Sequence, residues 1–205
     1  MQVCCLFSME KLEIVSCDSN LPMGKLVSRN RVINQKLWCR STNIYVMNSN
    51  GEILCHQRSL NKERMPGVWS THFGGHVTQG ETYESNAQKE LSEEIGVHIP
   101  LQKFLAWRTT KIDKACLWAK EFTVLLNKDV SEMVPQESEV SQLKWISPQE
   151  ILKLSENNPE MWCAGTHDFL VEYHCLRAVL SVAQSFGMIE TEPQINVWGQ
   201  LKLIS

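Results

Sequence analysis

Glu90, Glu93 and Glu94 are the side chains best placed by type and spacing to do chemistry. Separated as i, i+3 and i+4, they project to one side of a helix within about a 100° arc, where three like charges repel. A solvated face, opposed basic groups or a divalent cation relieves that repulsion. Carboxylate oxygens are hard ligands and select Mg²⁺, Mn²⁺ or Ca²⁺ over thiophilic metals. Ala87, Leu91 and Ile95 form an apolar stripe beside the acidic arc rather than opposite it, which puts the carboxylates at the lip of a core, where a cleft can form. Gly74 and Gly75 precede the helix, and a glycine turn lets backbone approach a ligand closely, as phosphate sites often require.

The elements that must hold these residues are partly legible. Ile44-Tyr45-Val46-Met47 and Ile53-Leu54-Cys55 are β-prone runs around the turn cluster Asn48 to Gly51, which predicts a hairpin. Met65-Pro66-Gly67 is a second turn, and Val68 to Val77 reads as extended or looped chain broken by Gly74-Gly75. The helix carrying the glutamates begins after Glu81, with Gly96 at its C-terminal left-handed position. Phe104 to Trp107 and Leu117 to Leu126 predict strands. Ser147-Pro148-Gln149-Glu150 has capping-box spacing and opens a short helix through Leu154. Thr166 to Phe186 is the longest helix, with a stripe of Phe169, Tyr173, Leu176, Leu180 and Ala183, ended by Gly187. Irregular alternation of strands and helices predicts an α/β or α+β fold with a mixed sheet between helices. Residues 1–39 match neither the helix nor the strand template and are read as an N-terminal extension packed on a domain of residues 40–205.

Composition narrows the partners. A chain of 205 residues, 43% apolar, can bury one principal core and is not a disordered tail. Twenty Lys and Arg against 23 Asp and Glu leave a net charge of −3, so no basic surplus calls for an obligatory nucleic-acid partner or an anionic membrane. No apolar run reaches the roughly 18 to 20 residues a membrane span needs, and the N-terminal run lacks the features of a signal peptide. Eight cysteines without a CxxC pair predict reduced thiols and a cytoplasmic location. A homodimer is compatible with the sequence.

From Gly75 to Val97 the pattern is Gly75, five residues, Glu81, seven residues, then Lys89-Glu90-Leu91-Ser92-Glu93-Glu94-Ile95-Gly96-Val97. It resembles the Nudix box, G-x5-E-x7-R-E-U-x-E-E-x-G-U with U apolar, at every specified position except Lys89, which stands for Arg. A coincidence of the fixed residues is expected on the order of once in ten million start positions. Arg58, the run Met65 to Trp69 before the box and Leu143 to Ser147 after it extend the likeness from about residue 40 to 155. The resemblance implies a Nudix fold and hydrolysis of a diphosphate linkage in a small, nucleoside diphosphate-linked compound. It implies Glu90, Glu93 and Glu94 as Mg²⁺ or Mn²⁺ ligands, with Glu93 also helping to deprotonate water, and Glu81 as a support for the loop or an aid to the metal. The family base commonly lies in a later loop, where Glu137 and Glu139 are the candidates. Arg58, Lys62, Arg64, Trp69, Gly74, Gly75 and His76 are candidate substrate contacts, the basic ones through charge-assisted hydrogen bonds to phosphate. Lys89 offers one point charge where Arg would offer a fork, which implies a more loosely oriented glutamate set.

Arg58 to Gly80 also resembles the isopentenyl diphosphate isomerases, which share the fold: Lys62, Pro66 to Trp69 and Gly75-His76 have counterparts there. Those enzymes use a Cys where this chain has Gly74 and a His ligand where it has Cys39, and they lack the full glutamate set. Isomerisation, and a catalytically weak Nudix module that binds a nucleotide or a protein, are the alternatives to hydrolysis.

Overall fold

A computed structural model describes residues 10–163, 166, 169–185 and 187. Its strands are β1 (Lys11–Val15), β2 (Pro22–Ser28), β3 (Cys39–Met47), β4 (Ile53–Arg58), β5 (Trp69–Ser70), β6 (Leu105–Ile112), β7 (Leu117–Leu125) and β8 (Val140–Ile146). The α-helices are α1 (Arg29–Gln35), α2 (Tyr83–Ile95), α3 (Pro148–Asn157) and α4 (Phe169–Ser185).

The hairpin between β3 and β4 forms as its turn chemistry predicts. Gly51 sits at φ 79°, and Asn48 accepts from Gly51 N at 3.0 Å and donates to the Glu52 carboxylate at 2.8 Å. The two strands then part. Met47↔Ile53 is their single ladder pair, after which β4 runs antiparallel to β8 from Ile53↔Ile146 to Arg58↔Val140. Beyond its hairpin end β3 is bordered instead by the segment after β5, through Ile44↔Phe73 and Ser41↔His76, with Thr42 N donating to Gly75 O at 3.0 Å. The other edge of β3 pairs in parallel with β7 from Cys39↔Leu117 to Met47↔Leu125, and β6 closes the sheet antiparallel to β7. The divergence of β3 and β4 thus leads the Gly74-Gly75 turn along one wall of the fork.

Alternation along β3 separates two cores. Ile44 and Val46 pack with Phe73, Phe122, Ala87, Leu91 and Ile95 under α2. Tyr45 and Met47 pack on the other face with Ile53, Ile146, Ile151, Leu176 and Leu180 under α3 and α4. Complete burial of Leu91 and Ile95 contributes about 2 kcal/mol each to holding α2 on the sheet.

The termini of the elements differ from expectation in instructive ways. Ser147 Oγ accepts from Glu150 N at 3.2 Å as a simple cap and α3 continues to Asn157. The reciprocal box is at Thr82 and Ser85, where side chain and backbone exchange hydrogen bonds in both directions. Residues 10–39, which fit neither template, form β1, β2 and α1. Strand β2 is exposed along most of its length and so lacks alternation, while α1 buries Val32 alone. The hairpin is nevertheless tied down: Leu12 is fully buried, Gln79 N donates to Lys11 O at 2.9 Å, and Trp118 Nε1 donates to Ser16 O at 3.0 Å. The expected stripe on α4 is buried at Leu176, Leu180 and Ala183; Phe186 and the side chain of Phe169 lie outside the described residues.

Candidate active site

Helix α2 is fixed at both ends, by the Thr82 box and by Gly96 at φ 69°, so its glutamates have set directions. They are not equivalent. Glu94 is buried at 5% exposure, Glu90 is half-buried and Glu93 is exposed. Gly74 N donates to Glu94 Oε2 at 2.7 Å, joining the glycine turn to the helix. Gly74 has φ 125°, and a Cβ there would lie 2.1 Å from Thr42 O, so no larger residue could keep both the strand contact and the glutamate contact. A Cβ on Gly75 would lie 2.7 Å from the Glu90 carboxyl, so this glycine gives Glu90 its place against the turn.

Asn86, fully buried one turn before Glu90, links the parts. It accepts from Thr42 Oγ1 at 2.7 Å and donates to His76 O at 3.1 Å and to Glu81 Oε2 at 3.0 Å. Glu81 also accepts from Thr78 N at 2.9 Å and pairs with Lys89 Nζ at 3.2 Å. These hydrogen bonds outweigh burial and hold the Glu81 carboxyl below the usual range. Glu81 is therefore an internal tie of the glycine loop.

The charge balance is different at the other end. Burial pushes the Glu94 carboxyl up to about 8 against the opposing Gly74 hydrogen bond, and the charges of Glu90 and Glu139 add to the rise. Burial likewise pushes Glu90 up to about 7; Lys89 opposes this, and Glu93, Glu10 and Glu139 reinforce it. Among the described residues no Lys or Arg forms an ion pair with Glu90, Glu93 or Glu94. Nor do three His, Cys, Asp or Glu side chains among them already converge as a ligand set. The donors are all hard oxygens, one of them buried without a balancing charge, which fits Mg²⁺ or Mn²⁺.

The remaining candidates divide by location. The loop carrying Glu139 is tied to α2, since Gln136 N donates to Glu93 O at 3.0 Å and Glu139 N to Gln136 O at 2.8 Å. Glu139 forms an ion pair with Lys62. Glu137 is exposed on the same loop. Arg58 donates to Arg64 O at 3.1 Å, shaping the basic loop, and its charge is felt by Glu94. Arg64 is exposed. His76 is half-buried, and its imidazole is pushed down to about 4 by burial and by the charges of Arg29 and Arg64, with Glu10 opposing. Trp69 is not brought to the carboxylates: it packs in the core under α3 and α4, its ring 6.1 Å from Trp162 in a stacked pair. The two tryptophans line a recess of about 230 Å³ with Lys144, Ile146, Leu154, Asn158 and Met161.

Sequence reasoning passed over Asn86, the Lys62–Glu139 pair and Glu121. Glu121 is 2% exposed on β7, where it accepts from Arg108 Nε at 2.7 Å and Thr110 Oγ1 at 2.8 Å. An acid inside the strand-prone stretch Leu117 to Leu126 is the available signal for Glu121; the other two follow only from the fold.

The family model for the NUDIX domain matches residues 38–164, which include the strands, glycine turn and acidic helix of this site, and the chain belongs to that family. Isopentenyl-diphosphate Delta-isomerase 2 of Photorhabdus laumondii subsp. laumondii is 28% identical over 124 residues, 60% of this chain and 70% of that protein. An uncharacterised Nudix hydrolase of Pseudomonas aeruginosa is 28% identical over 142 residues, 69% of this chain and 82% of its own. A crystal structure from Deinococcus radiodurans superposes with a TM-score of 0.66 at 20% identity, covering 80% of this chain and 98% of that one, and shows the same fold.

Proposed function

We propose that this chain is a Mg²⁺- or Mn²⁺-dependent hydrolase that cleaves the diphosphate linkage of a small, nucleoside diphosphate-linked compound. The observation that carries the reading is the half-buried Glu90 and buried Glu94, set against the Gly74-Gly75 turn without a basic partner among the described residues. Glu90, Glu93 and Glu94 would hold the cation. Bound there, it supplies charge neutralisation of diphosphate oxygens and acidity to a water molecule. Glu139 is the better placed base of the two loop candidates, because its charge reaches both Glu90 and Glu94. It would take the proton of the water whose oxygen bonds to phosphorus as the bridging P–O bond breaks. Arg58, Lys62 and Arg64 would draw the phosphates to the open end of the site. Among the described residues no helix is long and apolar enough to cross a membrane, and the six described cysteines are free; a cytoplasmic enzyme is the location we propose.

Isomerisation of isopentenyl diphosphate is the second reading, favoured by the several isopentenyl-diphosphate Delta-isomerases among the relatives. Against it, Gly74 supplies no thiol at the glycine turn. The Cys39 thiol is buried and pushed up to about 12, chiefly by burial, which suits neither proton transfer nor ligation.

The test is phosphate release from nucleoside diphosphate sugars, dinucleotides and oxidised nucleotides with Mg²⁺, comparing wild type with Glu93→Gln and Glu94→Gln. Turnover that depends on both glutamates supports hydrolysis. Failure to turn over any substrate, with Mg²⁺ binding surviving both changes, removes it. Conversion of isopentenyl diphosphate to its dimethylallyl isomer establishes the second reading instead.

A further inference from the structure

Lys62 and Glu139 lie 77 residues apart in sequence, yet form an ion pair whose side chains are 24% and 30% exposed. Both ends are fixed by one small framework: Ser59 N donates to Glu139 O at 3.0 Å and Lys62 N donates to Ser59 O at 3.2 Å. Through Gln136 the same loop is hydrogen-bonded to Glu93 on α2. The ammonium of Lys62 is thus held by the acid nearest to serving as base, on a loop hydrogen-bonded to the glutamate helix. Arg58 cannot replace it freely, because its guanidinium already donates to Arg64 O.

An ammonium on a flexible stem is a point charge that can exchange one anion for another with little geometric cost, unlike a guanidinium locked in a fork. A diphosphate bears more charge than a carboxylate and competes for that ammonium when it arrives beside the helix. We propose that Lys62 is an exchangeable counter-ion: it masks Glu139 in the free protein and transfers to the diphosphate on binding, uncovering the Glu139 carboxylate only when substrate is present. This inference rests on the diphosphate site proposed above and adds to it a coupling between substrate arrival and availability of the base. Lys62 is a substrate-binding residue in this scheme, and its departure frees the base.

The test is a double-mutant cycle on the affinity for methylenediphosphonate, a diphosphate analogue that cannot be hydrolysed, titrated calorimetrically in saturating Mg²⁺. Wild type, Lys62→Met, Glu139→Gln and the double variant are compared, with Lys62→Arg as a charge-retaining control and circular dichroism to verify folding. Removing Glu139 frees Lys62, so Glu139→Gln is expected to bind about fivefold more tightly than wild type, as fits the loss of one partly exposed ion pair. In the Lys62→Met background the same change is expected to tighten binding by clearly less, since only the repulsion of Glu139 is then removed, whereas in the Lys62→Arg background it tightens binding as in wild type. Equal tightening with and without Lys62 means simple repulsion between Glu139 and the phosphates and overturns the exchange, as does no tightening in either. Absence of Mg²⁺-dependent binding by wild type overturns the diphosphate site itself and the exchange with it.

Discussion

Lys89 Nζ lies 3.2 Å from Glu81 Oε1 and forms no ion pair with Glu90 or Glu93, its neighbours on the helix. The lysine that replaces the family's arginine therefore braces the glycine loop through Glu81 and acts on the acidic cluster only through its charge, which opposes the rise of Glu90. Because Lys89 is 45% exposed, Lys89→Met should cost less than about 1 kcal/mol in urea denaturation and leave Mn²⁺ affinity within about twofold. A large loss of Mn²⁺ binding would show that the lysine orients the metal-facing glutamates after all.

Stability of the metal-free protein should carry a pH signature from Glu90 and Glu94. Their folded carboxyls keep protons up to about 7 and about 8, whereas unfolded carboxyls release them near about 4.3. Between these limits the folded chain binds more protons, so the contribution is complete below about pH 4.5 and disappears as pH rises through about 8. Glu94→Gln should gain stability relative to wild type on going from about pH 5 to about pH 8 in chelator, and Mg²⁺ should stabilise wild type more at the upper pH. An unchanged difference between the two proteins across that range counts against a buried, unpaired Glu94.

The adjacent glycines should fail in different ways. Gly74→Ala meets the Thr42 backbone at 2.1 Å with φ at 125°, and should lose about 3 kcal/mol of stability. Gly75→Ala meets only the movable end of Glu90, so the protein should fold while Mn²⁺ affinity falls about tenfold. Calorimetric denaturation paired with Mn²⁺ titration separates the two; a folded Gly74→Ala protein with wild-type stability would refute the close approach.

His56 should be replaceable with profit. It is 2% exposed, has no hydrogen-bond partner on either ring nitrogen among the described residues, and packs 4.7 Å from the Phe73 ring. Burial, with the charges of His72, Arg58 and Lys62, pushes its imidazole down to about 3, so its contribution is present above about pH 6.5 and is lost as pH falls toward 3. His56→Phe should raise stability by about 1 kcal/mol at neutral pH and by more in acid. Destabilisation at neutral pH would reveal a polar role for the ring.

The parts of the site that could be read from sequence are those set by local geometry. Glu90, Glu93 and Glu94 share a side because a helix turns every 3.6 residues, and Gly96 ends that helix wherever the rest of the chain lies. The asymmetry among them was hidden, since burial of Glu94 depends on Gly74 reaching back from the edge of β3. Trp69 suits stacking by its type, but its pairing with Trp162, far along the chain, beside a recess on the other face of the sheet from α2, is set by the fold alone. Arg108 and Glu121 meet through an irregular register between Ala106 and Arg108, which no periodicity announces. Strands β1 and β2 escaped notice because one side of the hairpin is bare to solvent.

The side-by-side, same-direction alignment of β3 with β7 has a kinetic meaning. The whole of α2 and β6 must be synthesised before β7 can zip onto its neighbour, so the mixed sheet is built from distant partners and condenses late. During translation the emerging acidic helix therefore lacks a finished floor, and its glutamates reach their final setting only once β7 has left the ribosome.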